Sequence, residues 1–162
     1  MNVREFPSSD TPRSLEEWEQ LRDLVVGRMQ RPGESAEARL RWARTALTAV
    51  AAKARCGDQQ RAAAESVAIR AYLIKELGED RSDPDRNLGS LCSDVLNDLE
   101  IPLDTAERLA GDWRTSSRER ILQLRRIKNT LTPLLLLREH LKDDDPTTQP
   151  IRAWLNLIPK LP

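Results

Sequence analysis

A chain of 162 residues and 18.4 kDa, 39% apolar and 32% charged, can bury one core of ordinary domain size and is too apolar to be disordered throughout. Its 26 cations balance its 26 anions, which removes any global attraction to nucleic acid or anionic lipid. The sequence contains no apolar run of about 18 residues that would span a bilayer, and "MNVREFPSSDTPR" has no apolar signal region.

The two cysteines, Cys56 and Cys92, are too few and too distant for a disulfide scaffold; both read as reduced core residues of a cytoplasmic protein. Arginine outnumbers lysine 21 to 5, and alanine is abundant, which fits a GC-rich bacterial genome.

Helix signals recur along the chain and strand signals are nearly absent. After a flexible arm over 1–13, Ser14 and Glu17 form a capping box. Leu15, Trp18, Leu21, Val25 and Met29 then make an apolar stripe that ends at Pro32-Gly33. Ser35 opens a second helix with a seam of Ala36, Leu40, Ala43, Leu47, Val50 and Ala54. Gly57 closes it, and Asp58 caps a third helix carrying Ala64, Val67, Ala71 and Ile74 as far as Gly78. The short loop and small seam residues predict antiparallel neighbours.

Asp83-Pro84 reads as the N-cap and first residue of a fourth helix, with Leu88, Leu91, Cys92, Val95 and Leu99 inward. Ile101-Pro102 breaks it, and a short helix follows from about Leu103 to Gly111. Ser116 and Glu119 form another capping box. From about Ser117 the next helix has Ile121, Leu124, Ile127, Leu131, Leu134, Leu135 and Leu141 on one side, leaving Leu122, Leu136 and Leu137 off it. Pro133 predicts a kink or a restart, and the leucines after it predict burial on more than one side. The fold class is therefore all-α, a single-domain antiparallel bundle of six or seven helices over 14–142, arranged as a bundle or as stacked helical hairpins. A linker at 143–150 and an apolar tail at 151–162 follow it.

The stretch "CGDQQRAAAESVAIRAYLIKELGED" followed by "RNLGSL" resembles tetratricopeptide sequence in its short glycine turn between two helices. Only Gly57 and Ala62 match, and the aromatic and proline positions do not, so what carries over is stacked hairpins able to offer a groove to a partner. "LDTAERLAGDWRTSSRERILQL" reads as helix, turn and arginine-bearing helix, with a turn longer than DNA-binding helix-turn-helix units use.

Catalytic and cofactor signatures are missing. His140 is the one histidine, so no zinc or di-iron histidine pattern exists, and six glycines form no phosphate loop. A dyad of His140 with Cys56 or Cys92 is the sole nucleophile arrangement available, and both cysteines sit at ordinary packing positions. The expectation is a non-enzymatic chain without cofactor or metal.

Charge is segregated instead. Residues 39–61 hold six cations and one anion, 79–112 ten anions and three cations, and 114–128 six cations and one anion. The simpler reading pairs the acidic middle with both basic segments inside the fold. In the alternative the arginines of both basic segments share one exposed face and grip phosphates, with Arg114, Arg118, Arg120, Arg125, Arg126 and Lys128 as its main carriers. Ile151, Trp154, Leu155 and Ile158, spaced i, i+3, i+4, i+7, form an apolar face that docks on its own bundle or on a partner. The favoured function is a protein–protein interaction module, an adaptor or regulatory subunit able to self-associate; the alternative is a nucleic-acid-binding accessory protein.

Overall fold

The computed structural model describes residues 14–57, 59–142 and 144–162. The expected arm at 1–13, the Asp58 cap and Asp143 lie outside them. The fold is all-α: the described residues form helices and turns and contain no strand. Packing of the chain groups it into two compact units, Met1–Ile69 and Arg70–Pro162.

The first unit holds α1 (Leu15–Met29), α2 (Ala36–Arg55) and the start of α3 (Gln59–Leu77). Ser14 caps α1 by accepting the Glu17 N–H at 3.2 Å, and its hydroxyl donates to Glu17 Oε1 at 3.2 Å. Trp18, Leu21, Val25 and Met29 are buried as their spacing predicts, and α1 packs along α2. On α2 the buried set is wider than one seam. Ala43, Ala46, Ala49, Val50, Ala52 and Lys53 are buried, while Leu40, Leu47 and Ala54 are half-buried. α1 packs along α2, and beyond the turn at Gly57 (φ 102°) Glu65 of α3 reaches Lys53. Cys56, expected in the core, is exposed, because it caps α2 at the mouth of that turn.

The second unit begins within α3 and continues through α4 (Leu88–Asp98), α5 (Leu103–Gly111), α6 (Arg118–Leu131) and α7 (Gln149–Leu155). Asp83-Pro84 does not start α4. Asp83 is buried and accepts the Asp85 N–H at 3.0 Å through its side chain and the Arg86 N–H at 3.0 Å through its carbonyl, which makes a β-turn. Arg86 then donates to Gly78 O at 3.1 Å and Leu77 O at 2.9 Å, satisfying the open carbonyl end of α3. Asn87 is the N-cap of α4, accepting from Ser90 N at 3.0 Å. Leu88, Leu91, Cys92 and Val95 are buried on that helix, and Leu99 is half-buried.

α6 is capped by Ser117, which accepts from Arg120 N at 3.3 Å; the expected cap, Ser116, donates instead to Asp112 O at 3.0 Å. At Pro133 the chain restarts. With no N–H at this position the α pattern cannot continue, and Thr132–His140 winds as a 3-10 helix. Three residues per turn stack Leu131, Leu134 and Leu137 on one buried line and leave Leu136 48% exposed. The leucine run is therefore buried on one side, not several, and Leu137 rather than Leu135 is fully inside.

Residues 144–148 are turns. Asp145 Oδ1 accepts the Thr147 N–H at 2.9 Å, and buried Thr148 donates its hydroxyl to Lys142 O at 3.1 Å. α7 packs on the 3-10 helix, and Arg152 Nη1 donates to Leu141 O at 2.6 Å. A 3-10 turn at Ile158–Lys160 ends the chain's regular structure.

Candidate nucleic-acid interface

The cations divide into those consumed inside a unit and those left outside. Within the first unit Lys53 is 0% exposed, and its ammonium donates to both Glu65 oxygens at 2.9 and 2.8 Å. Arg22 reaches Glu65 at 3.0 Å, and Arg61 lies between Glu65 at 3.6 Å and Glu19 at 3.8 Å. Lys53 and Arg61 belong to the basic segment expected to pair with the acidic middle at 79–112, and their partners are instead Glu65 and Glu19. A lysine flanked by alanines in the last turn of a helix gives no sign of burial; only the fold-back of α3 brings Glu65 to it.

Three carboxylates of the acidic middle have ion-pair partners outside α6. Asp94 takes Arg70 at 2.8 Å, Asp80 takes Arg86 at 3.9 Å, and Glu79 takes Arg81 at 3.9 Å. Among the described residues no ion pair joins 79–112 to α6, but Glu100 lines a groove with Arg120 and Arg126, so the acidic middle meets α6 there without closing a salt bridge.

α6 is amphipathic. Leu124, Ile127 and Leu131 bury its inner face, with Ile121 half-buried beside them. Opposite them, Arg118, Leu122, Arg125 and Asn129 follow i, i+4, i+7 and i+11 and are all exposed, with exposed Arg126 on one flank. Arg120 turns to Gln123 at 3.5 Å and with Arg126, Leu122, Glu119 and Glu100 lines a shallow groove of 390 Å³. Arg114 is exposed in the connection before α6, its guanidinium 5.0 Å from the centre of the Trp113 ring. Lys128 is half-buried at the edge of the helix. The structure thus gathers Arg118 and Arg125 on the outer face, sets Arg120 and Arg126 along the flanking groove with Glu100 and Glu119, and holds Arg114 and Lys128 at the margins.

The apolar tail residues Ile151, Trp154, Leu155 and Ile158 are buried in the chain itself, together with Leu157 and Leu161. They present no free apolar face. Comparison with known protein families, characterised proteins and solved structures finds no match.

Two further places could hold chemistry. Cys92 is buried, and desolvation pushes its thiol up to about 12, with Asp145 adding to the rise; such a thiol is a poor nucleophile, and the dyad with His140 gains no support. A cavity of 270 Å³ is walled by Glu79, Arg81, Asn87, His140, Lys142 and Asp145, where two carboxylates offset two cations. Among the described residues no group of three His, Cys, Asp or Glu is placed to hold a metal ion, and no helix is long and apolar enough to cross a membrane.

Proposed function

We propose that this chain is a non-catalytic binding module whose ligand is the phosphate backbone of a nucleic acid, held by the outer face of α6. The observation that supports this reading is that Arg118 and Arg125 stand exposed on the outer face of α6, with Arg126 exposed on its flank, and among the described residues no ion pair engages them. Guanidinium groups suit phosphate because their forked donors match its oxygens. A neutral chain can bind a polyanion through such a face because local charge, not net charge, sets the contact within a Debye length of about 8 Å.

Fluorescence anisotropy with labelled nucleic acid across a salt series tests it. Arg114, Arg118, Arg125 and Arg126 acting together give a log–log salt slope of about −4, at about −0.9 per phosphate, and Arg118→Ala makes the slope about 1 unit shallower. Absence of binding at low salt defeats the reading.

A second reading is favoured by Leu122. At 39% exposure it is a large apolar side chain surrounded by arginines, a composition common at protein interfaces. On that reading the chain is an adaptor or regulatory subunit, and the outer face of α6 rather than the tail meets another protein or a second copy. Sedimentation at increasing concentration would then show association that Leu122→Ala reduces, with no binding of nucleic acid.

A further inference from the structure

We propose that the cavity between the start of α4 and the turns at 144–148 binds a small zwitterion, an amino acid in chemical class. No residue of α6 lines it, so this inference does not rest on the phosphate-binding reading.

Separate stretches of the second unit wall this space of 270 Å³. Glu79 and Arg81 come from the connection after α3, His140 from the end of the 3-10 helix, and Lys142 and Asp145 from the chain that follows. Gly89 lets α4 and the turns close in on it, since a Cβ there would stand 3.2 Å from Thr147 Cγ2.

The walls carry polar capacity that the fold does not use. His140 Nδ1 is buried and has no hydrogen-bond partner among the described residues, and a buried polar atom left unpaired calls for one from outside the chain. Among the described residues no ion pair engages Lys142 or Asp145, although both line the cavity. Asp145 spends Oδ1 on the Thr147 N–H and leaves its other oxygen open. Glu79 and Arg81 approach only to 3.9 Å, beyond hydrogen-bonding distance. Both signs of charge therefore border one space without neutralising each other.

That balance selects the occupant. A polyanion would meet Glu79 and Asp145, and an apolar molecule would find little but Leu88. Among the described residues no group of three His, Cys, Asp or Glu is placed to hold a metal ion. The volume is below the roughly 300 Å³ at which drug-sized sites begin, so the ligand is small. A molecule with an ammonium and a carboxylate gives Glu79 and Asp145 a cation, and Arg81 and Lys142 an anion. It also offers both a donor and an acceptor, so it suits His140 Nδ1 in either tautomer.

His140 is the one histidine of the chain, so its ring resonances report on this site alone. The test titrates the full chain with the standard amino acids one at a time, following those resonances by NMR and the melting temperature by calorimetry. At about 10 mM, tenfold above a millimolar Kd, a fitting amino acid raises the melting temperature by about 3 °C. It also shifts the His140 resonances saturably. Its deaminated acid and its decarboxylated amine each bind about tenfold more weakly, since each forfeits charge-assisted hydrogen bonds.

Lys142→Gln and Asp145→Asn each weaken binding by about the same factor. Lys142 is exposed, and asparagine keeps an oxygen for the Thr147 N–H, so both variants keep the fold. Circular dichroism verifies this, and Lys142→Gln carries the test if Asp145→Asn unfolds. The assignment is overturned if no amino acid moves the His140 resonances, if the single-charge analogues bind as tightly as the zwitterion, or if the folded variants bind like the parent. None of these results bears on nucleic-acid binding by α6.

Discussion

Replacing Glu65 by glutamine probes the one fully buried charge among the described residues. The Lys53 side chain is 0% exposed, and its ammonium has both Glu65 oxygens within 2.9 Å; the next carboxylate, Glu19, is 3.7 Å away and 32% exposed. Neutralising Glu65 leaves a desolvated ammonium beside an amide. Breaking a buried pair by removing one partner costs about 3–5 kcal/mol, and the nearness of Glu19 puts the expected loss near the lower figure.

Lys53→Met removes the buried charge instead and preserves most of the stem's packing. Glu65 then retains Arg22 at 3.0 Å, so the expected loss is about 1 kcal/mol. The double variant should be less damaged than the sum of the two, giving a coupling of about 2 kcal/mol. Urea unfolding followed by circular dichroism and tryptophan fluorescence reads these differences. With a slope of about 1–3 kcal/mol per molar urea, the Glu65→Gln midpoint falls by roughly 1–3 M. If Glu65→Gln moves the midpoint no more than Lys53→Met does, and the two effects add, the buried pair is not what holds α3 against α2.

The remaining predictions concern the second unit and the cysteines. Trp154→Ala should cost about 3–5 kcal/mol, because the indole is 5% exposed in the described fold; deleting Gln149–Pro162 should lower the melting temperature independently of protein concentration, whereas an unchanged melting temperature would show that the segment does not dock. A thiol reagent should label Cys56 in the native protein and Cys92 only after unfolding, since burial holds the Cys92 thiol near 12; rapid labelling of both would contradict this packing. The Ser82 hydroxyl, then the Ser82 N–H, hold the Asp80 carboxyl below its ordinary value. That lowered pKa contributes stability above the unfolded value of about 3.9, lost as pH falls through the folded one. Asp80→Asn should therefore melt lower than the parent at pH 7, the gap closing on acidification; a gap independent of pH would refute the role of ionisation.

Local chemistry was legible wherever it concerned neighbours in sequence. The Ser14 cap, the stop at Gly78, the break before Leu103 and the stripes of α1 and α4 depend on residues within a turn or two of each other, and their spacing alone reports them. The amphipathic character of α6 was readable for the same reason, and its five cations, with Arg114 before it, could be named as candidates.

What spacing cannot report is which element arrives from elsewhere. Lys53 was expected to meet the acidic middle but is buried against Glu65 of α3, and Cys56 was expected in the core but is exposed at its turn. Asp83-Pro84 has the chemistry of a helix start but closes a turn instead, since Arg86 is needed at the open carbonyls ending α3. Thr132-Pro133 allowed a kink or a restart, and the 3-10 winding that followed exchanged Leu135 for Leu137 in the core. The same holds for the interface. The sequence supplied the charges of α6 and of the acidic middle, but whether they met was a matter of tertiary distance. Asp94 found Arg70 and Asp80 found Arg86, Glu100 came to share a groove with Arg120 and Arg126, and Arg118 and Arg125 were left facing outward.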